Sequence, residues 1–169
     1  APFGPRSKGP MQPLLPSVIA AALYAAATSY QSLRLIARKT PDKRILLPLG
    51  LLALLAHVAS LFGQLITPSG LYLDFFNAAS LIAAAVIALI LLAALRIPVT
   101  ILLLLLFPLG CLTVLFAQFV PAGTTQGIRE HPGILAHILL SILAYGLLTI
   151  AMFQSLLLLV QDRQLKHKH

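Results

Sequence analysis

Cys111 is the only cysteine in 169 residues. An internal disulfide framework and any cysteine-based zinc or iron–sulfur site are therefore excluded. Acidic residues are almost as scarce: Asp42, Asp74, Glu130 and Asp162 are all there are, each at or near the end of an apolar stretch. That leaves no buried acid chain for a proton relay or a transition-metal path. No Ser–His–Asp set can be assembled, so enzymatic catalysis is not expected. Charged residues of all kinds make up 9% of the chain and hydrophobic ones 59%, whereas soluble domains carry about 25% charged residues. The chain is an integral membrane protein. At about 20 apolar residues per span, its length allows at most about six or seven spans. No large soluble catalytic domain fits beside them.

What the sequence does contain is a series of apolar stretches, at about 17–37, 45–66, 72–95, 98–119 and 133–161, each long enough for a transmembrane helix. The expected fold is all-α, a polytopic integral membrane protein built as a five-transmembrane-helix bundle over residues 11–163. Residues 1–10, rich in Pro and Gly ahead of Met11, read as a cloning remnant or a disordered arm. Residues 164–169 read as a basic cytoplasmic tail. Turn chemistry separates the stretches at Thr40-Pro41-Asp42, Thr67-Pro68-Ser69-Gly70, Arg96-Ile97-Pro98 and between Pro121 and Pro132.

Twelve Lys and Arg give a net charge of +8, and their distribution sets the topology. Arg34, Arg38, Lys39, Lys43 and Arg44 occupy the first loop, Arg96 the third, and Arg163, Lys166 and Lys168 the tail; the second loop has none and the fourth only Arg129. With Arg6 and Lys8 of the 1–10 segment set aside, the positive-inside rule places the N-terminus outside and the C-terminus in the cytoplasm. The charge is topological, and no nucleic-acid partner is expected. A signal peptide over 6–27 is rejected, because the strong positive cluster follows the apolar run rather than preceding it. A small-residue face of Ala21, Ala25 and Thr28 instead suits helix packing in lipid. Pro108 is expected to kink the fourth helix, and Cys111 to act as a small core residue.

Polar residues inside spans are costly, and they mark partners, cavities or ligands. Gly50, His57, Ser60 and Gln64 share one stripe of the second helix at spacings of seven, three and four. The fifth helix opens at Pro132 and sets His137, Ser141 and Tyr145 four apart. Asp74, Asn77 and Ser80 share a face of the third helix, and Tyr24, Thr28 and Gln31 one of the first. These stripes are expected to face one another inside the bundle. For Ser60, Ser141, Thr28 and Asn77 a packing role is favoured, and for His57 an interhelical hydrogen bond is as good a reading as a ligand role. His131 is read as a helix cap or a neighbour of the outer site; His167 and His169 are assigned nothing. A neutral imidazole turned into a helical bundle is also what a haem iron needs as axial ligand. With a rise of ~1.5 Å per residue across a ~30 Å core, His57 falls near mid-membrane and His137 in the outer leaflet. Two separate levels are expected rather than one shared haem.

The run His131-Pro132-Gly133-Ile134-Leu135-Ala136-His137-Ile138-Leu139-Leu140-Ser141-Ile142-Leu143-Ala144-Tyr145, with the Gln164-Leu165-Lys166 tail, resembles the cytochrome c assembly protein family, and within it the short YpjD-like branch. His57 and the Asn77-x-x-Ser80 segment fit the same branch, and the resemblance spans about 45–168. It implies a multi-pass protein of the bacterial inner membrane that binds or handles haem b. His137 would be the ligand of an outward-facing haem, with Ser141 and Tyr145 beside it, and His57 the ligand of a second haem within the membrane. Two features depart from the larger members. They present haem on a Trp-rich segment, and this chain has no Trp, so ligation to apocytochrome is not expected. They also continue through further helices carrying the opposing histidines, so the chain reads as a front half, a truncation or a fragment, and either site would need water, a second chain or further helices to complete it. The alternative function is a non-catalytic membrane subunit that packs against or regulates another membrane protein, such as a transporter, or pairs as a homodimer. A transporter in its own right is disfavoured by the absence of an internal repeat.

Overall fold

The computed structural model describes residues 14–67, 70–71, 74–120 and 132–166. Expectations for the 1–10 arm, for the loop holding Arg129 and His131, and for Lys168, His167 and His169 lie outside the described residues. Five helices follow one another: α1 Leu14–Ile36, α2 Lys43–Leu65, α3 Phe75–Ala94, α4 Thr100–Phe119 and α5 Pro132–Lys166. The protein is an all-α polytopic membrane protein. A two-residue antiparallel ladder, Ile66 with Leu71 and Thr67 with Gly70, closes the α2–α3 connection where turn residues were read. The helix α5 continues through Gln164 to Lys166, so the start of the basic tail is helical.

Capping fixes where the helices begin and end. Asp42 opens α2 by accepting a hydrogen bond from the Arg44 amide at 2.9 Å, and Asp74 opens α3 by accepting from the Asn77 amide at 2.6 Å. Asp74 is thus the cap and not the first helical residue. At the C-terminus of α1, the Lys39 amide reaches the Arg34 carbonyl and the Arg38 amide that of Leu35, while Arg38 adopts φ 55°. This is a Schellman stop with Arg where Gly is usual. The α3 C-terminus is closed from outside, by Lys43 Nζ donating to the Ala94 carbonyl at 2.9 Å. A cation at the negative end of the helix dipole is favourable.

Among the described residues, four helices are long and apolar enough to cross a membrane: α2, α3, α4 and, within α5, Leu140–Arg163. The equally long α1 is not among them, because Ser17, Tyr24 and Gln31 lower its hydropathy. All three are fully buried. Ser17 meets Ser60 and Gln118 at one end of the bundle, and Gln31 Nε2 donates to the Thr100 carbonyl at 2.8 Å at the other. So α1 runs antiparallel to α2 and α4 over the full length of α4. The packing face of α1 is Ser17, Ala20, Ala21, Tyr24, Ala27 and Gln31. This corrects the expected Ala21–Ala25–Thr28 face: Ala25 is exposed, and the Thr28 hydroxyl turns back to the Tyr24 carbonyl at 2.8 Å. The chain alternates direction, so every Lys and Arg among the described residues falls at one end, hereafter the basic end.

The core lies among α1, α2, α3 and α4, around Tyr24, Leu46, Ile87, Leu103, Leu106 and Phe107. Pro108 does not break α4, which is continuous from Thr100 to Phe119. Two glycines set the closest approaches. A Cβ at Gly50 would stand 2.7 Å from Phe107 Cζ, and one at Gly110 2.6 Å from Ile87 Cδ1 and 3.1 Å from the Tyr24 ring. Without a hydrophobic driving force between helices in lipid, such close packing is a main source of cohesion. The last helix stands apart: α5 packs chiefly on α3, burying Ile142 and Gly146, and only 11% of its apolar window is covered.

Gly110→Leu should overpack the Tyr24–Ile87 contact and destabilise the protein by about 1–3 kcal/mol, read as a lower thermal midpoint in detergent. Gly133→Ala, where an added Cβ meets nothing within 4 Å, should not lower it. Equal midpoints for the two variants would contradict the packing.

Candidate functional site

The α2 stripe falls where its spacing places it, with Gly50, His57, Ser60 and Gln64 all buried. His57 has no exposed surface. Its Nδ1 lies 3.1 Å from the Tyr24 hydroxyl on α1, and its Nε2 2.8 Å from Ser80 Oγ on α3. The Tyr24 ring also meets the imidazole edge-on, at 5.8 Å between centroids, and tilts over Phe107 at 5.7 Å. A neutral imidazole has one N–H and one lone pair. In either tautomer the N–H donates to one hydroxyl while the other hydroxyl donates to the lone pair. The ring is a pin through three helices, and neither nitrogen is open to an iron.

A second polar level lies toward the end opposite the basic one. Ser17 Oγ donates to Gln118 Oε1 at 2.7 Å and lies 2.6 Å from Ser60 Oγ. Gln64 Nε2 donates to Ser60 Oγ at 2.8 Å and to Gln118 Oε1 at 3.2 Å. Hydrogen bonds thus close a ring through α1, α2 and α4. Asn77, on the same face of α3 as Ser80, is buried nearby in the sequence register set by the His57–Ser80 contact. Ser17 and Gln118 were missed from the sequence. The signal for Ser17 was available, since Ser17, Tyr24 and Gln31 are seven apart, the spacing that keeps residues on one helix face. Gln118 carries no such signal, because its position near a helix end is where an unpaired polar residue is ordinary.

The fifth helix does not bring its stripe to this core, which corrects the expectation that all the stripes face one another inside. The contact with α3 uses Ile142 and Gly146, and His137, Ser141 and Tyr145 occupy the flank beside it. His137 and Tyr145 are exposed and Ser141 is half-buried; the Tyr145 carbonyl accepts from Thr149 at 2.7 Å. The physical reason is that α5 is apolar nearly all round, so composition does not choose its packed face. His57 and His137, the two histidines among the described residues, are therefore not brought together: one is sealed inside the bundle and one is on its outside. No group of three or more His, Cys, Asp or Glu side chains able to hold a metal ion occurs among the described residues.

The family model for the cytochrome C assembly protein matches residues 46–169. The chain belongs to the cytochrome c assembly protein family. Membership supports a haem-handling role in the membrane at the level of the family. The matched region takes in His57, Ser80 and the whole of α5, and leaves α1, with Ser17 and Tyr24, outside it. No curated protein and no solved structure matches the chain.

For a haem, the two histidines differ in fit. His137 offers an exposed imidazole on an open helix flank, with a hydroxyl on each of the next two turns. His57 offers none without the loss of Tyr24 or Ser80. If His57 is a pin, His57→Ala and Ser80→Ala should couple in a double-mutant cycle by about 0.6–1.7 kcal/mol, the range of hydrogen bonds between membrane helices, measured by unfolding in detergent. Additive effects would show that the bond contributes nothing.

Proposed function

We propose that this member of the cytochrome c assembly family handles haem b at the bacterial inner membrane on the outer flank of α5, with His137 as axial ligand and Ser141 and Tyr145 beside it. The reading is non-catalytic. The observation that carries it is the exposure of the His137 imidazole and the Tyr145 ring on one face of a helix whose apolar window is only 11% covered. When bound, haem would bring an iron with an axial position that this imidazole can fill. The protein's own part would be to hold that ring on the exposed flank of α5 and to offer the Ser141 and Tyr145 hydroxyls on the next two turns of the same helix. The second axial ligand would come from water, a partner or a second copy. His57 enters as a ligand only if the Tyr24 or Ser80 contact is released, which would separate α1 or α3 from α2.

A second reading is favoured by a specific observation. The broad uncovered surface of α5, with Leu140, Leu147, Leu148 and Leu158 each more than half exposed, suits a membrane subunit that packs against another membrane protein, its buried histidine being an interhelical donor. Purified protein titrated with haemin separates the two. The haem reading predicts a Soret band that is lost or strongly weakened in His137→Ala and kept in His57→Ala, which should instead lower the thermal midpoint. A wild type that stays colourless, or one whose band is indifferent to His137, removes the haem reading. Haem-free folding undisturbed by His137→Gln, together with a defined partner co-purifying, supports the subunit reading.

A further inference from the structure

Between α4 and α5 lies an open-sided cleft of about 110 Å³ lined by Ile101, Leu102, Leu105, Phe153, Leu156 and Leu157. Every side chain is apolar, so nothing in the lining fixes a polar ligand. The shape and chemistry suit a length of hydrocarbon chain. Its place in the bundle says more. The two helices run antiparallel, and the cleft begins one residue inside the start of α4, at the basic end. Arg96 sits in the turn that precedes α4. Arg163 lies six residues beyond Leu157 on α5, about 9 Å further along the axis toward the same end. Both are exposed. Of the neighbouring charges, Lys166 is paired with Asp162 at 2.7 Å and Lys43 Nζ is held by the Ala94 carbonyl. Neither Arg96 nor Arg163 has an ion-pair partner among the described residues. Eight Lys and Arg against two acids, Asp42 and Asp162, make this end strongly positive.

We propose that this cleft is a binding site for an anionic phospholipid of the leaflet at the basic end, with part of one acyl chain seated between α4 and α5 and the headgroup phosphate held by Arg96 and Arg163. The assignment rests on charge complementarity aligned with an apolar slot. A slot without cations would take any lipid, and surface cations without a slot would attract anionic lipids loosely and without a fixed place. Arg is suited to the role because its guanidinium fork meets phosphate oxygens bidentately. The site lies along α5 from Phe153 onward, two turns beyond Tyr145, and uses none of the residues of the His137 flank. Its occupant would also help to hold α5, the least covered helix, onto the bundle.

The test uses the full chain in nanodiscs and in detergent. Protein exchanged into phosphatidylglycerol should have a higher thermal midpoint than in phosphatidylcholine of the same acyl chains, and should carry the anionic lipid through delipidation into native mass spectrometry. The double variant Arg96→Gln/Arg163→Gln should reduce retention of phosphatidylglycerol relative to phosphatidylcholine by about thirtyfold. Leu105→Phe/Leu156→Phe, which fills the slot and leaves every charge in place, should reduce it too. Arg44→Gln, at the same end but on α2, should leave it unchanged. Equal retention of the two lipids by the wild type overturns the proposal, as does a preference that survives both double variants or that falls equally in Arg44→Gln. Circular dichroism confirms that each variant is folded.

Discussion

In hydrocarbon a polar side chain must find its partner within the protein, and the hydrogen-bonded imidazole of His57 is where this constraint organises the bundle. One ring links α2 to α1 through Tyr24 and to α3 through Ser80. Each contact fixes a register that apolar side chains alone would leave free to slide. The Tyr24–His57 contact sets α1 antiparallel to α2 at the level where Gly110 lets α4 approach, and the Ser80 contact brings α3 alongside. Toward the far end the Ser17–Ser60–Gln64–Gln118 ring repeats the device, and Gln31 on the Thr100 carbonyl repeats it at the basic end. The polar content of α1, which lowers its hydropathy below that of its neighbours, is therefore what attaches it to them. Satisfaction is not complete: Gln31 Oε1, Gln64 Oε1 and Asn77 Oδ1 are buried without a partner, and an unpaired buried acceptor carries a cost.

The same constraint divides the histidines by role. An imidazole whose two nitrogens are engaged holds helices together and is unavailable as a ligand. One on an uncovered helix flank contributes nothing to cohesion and is available. His57 and His137, both inside apolar stretches of a chain from a haem-handling family, fall on opposite sides of that division. The four-helix core of α1, α2, α3 and α4 is then a scaffold, and α5, packed on it chiefly along α3 through Ile142 and Gly146, carries the exposed groups.

Much of this was legible in the sequence, for identifiable reasons. Helix positions follow from apolar length and the breaks from the turn residues between the stretches, whereas the capping of α2 by Asp42 and of α3 by Asp74 is seen only in the structure. The Gly50–His57–Ser60–Gln64 stripe was readable because helical periodicity puts those residues on one face and hydrocarbon turns a polar face inward. The motif around His137 pointed to the family, and the family model covers that region. What was not legible is pairing. Nothing in the spacing says that the partner of His57 is Tyr24 of another helix, and the α1 stripe read as Tyr24, Thr28 and Gln31 contained two members of the buried Ser17–Tyr24–Gln31 line but not Ser17. Nor could composition show which side of α5 packs, because a helix apolar nearly all round has no preferred face until its neighbours choose one.

The division of roles between the histidines requires His57 to be locked within the bundle while His137 stands open. Acylation of histidines by diethylpyrocarbonate in the folded, detergent-solubilised protein, followed site by site with mass spectrometry, measures this directly. His137 should be modified rapidly and His57 left untouched until the protein is unfolded; modification of His57 in the folded protein at a rate comparable to that of His137 would contradict the account.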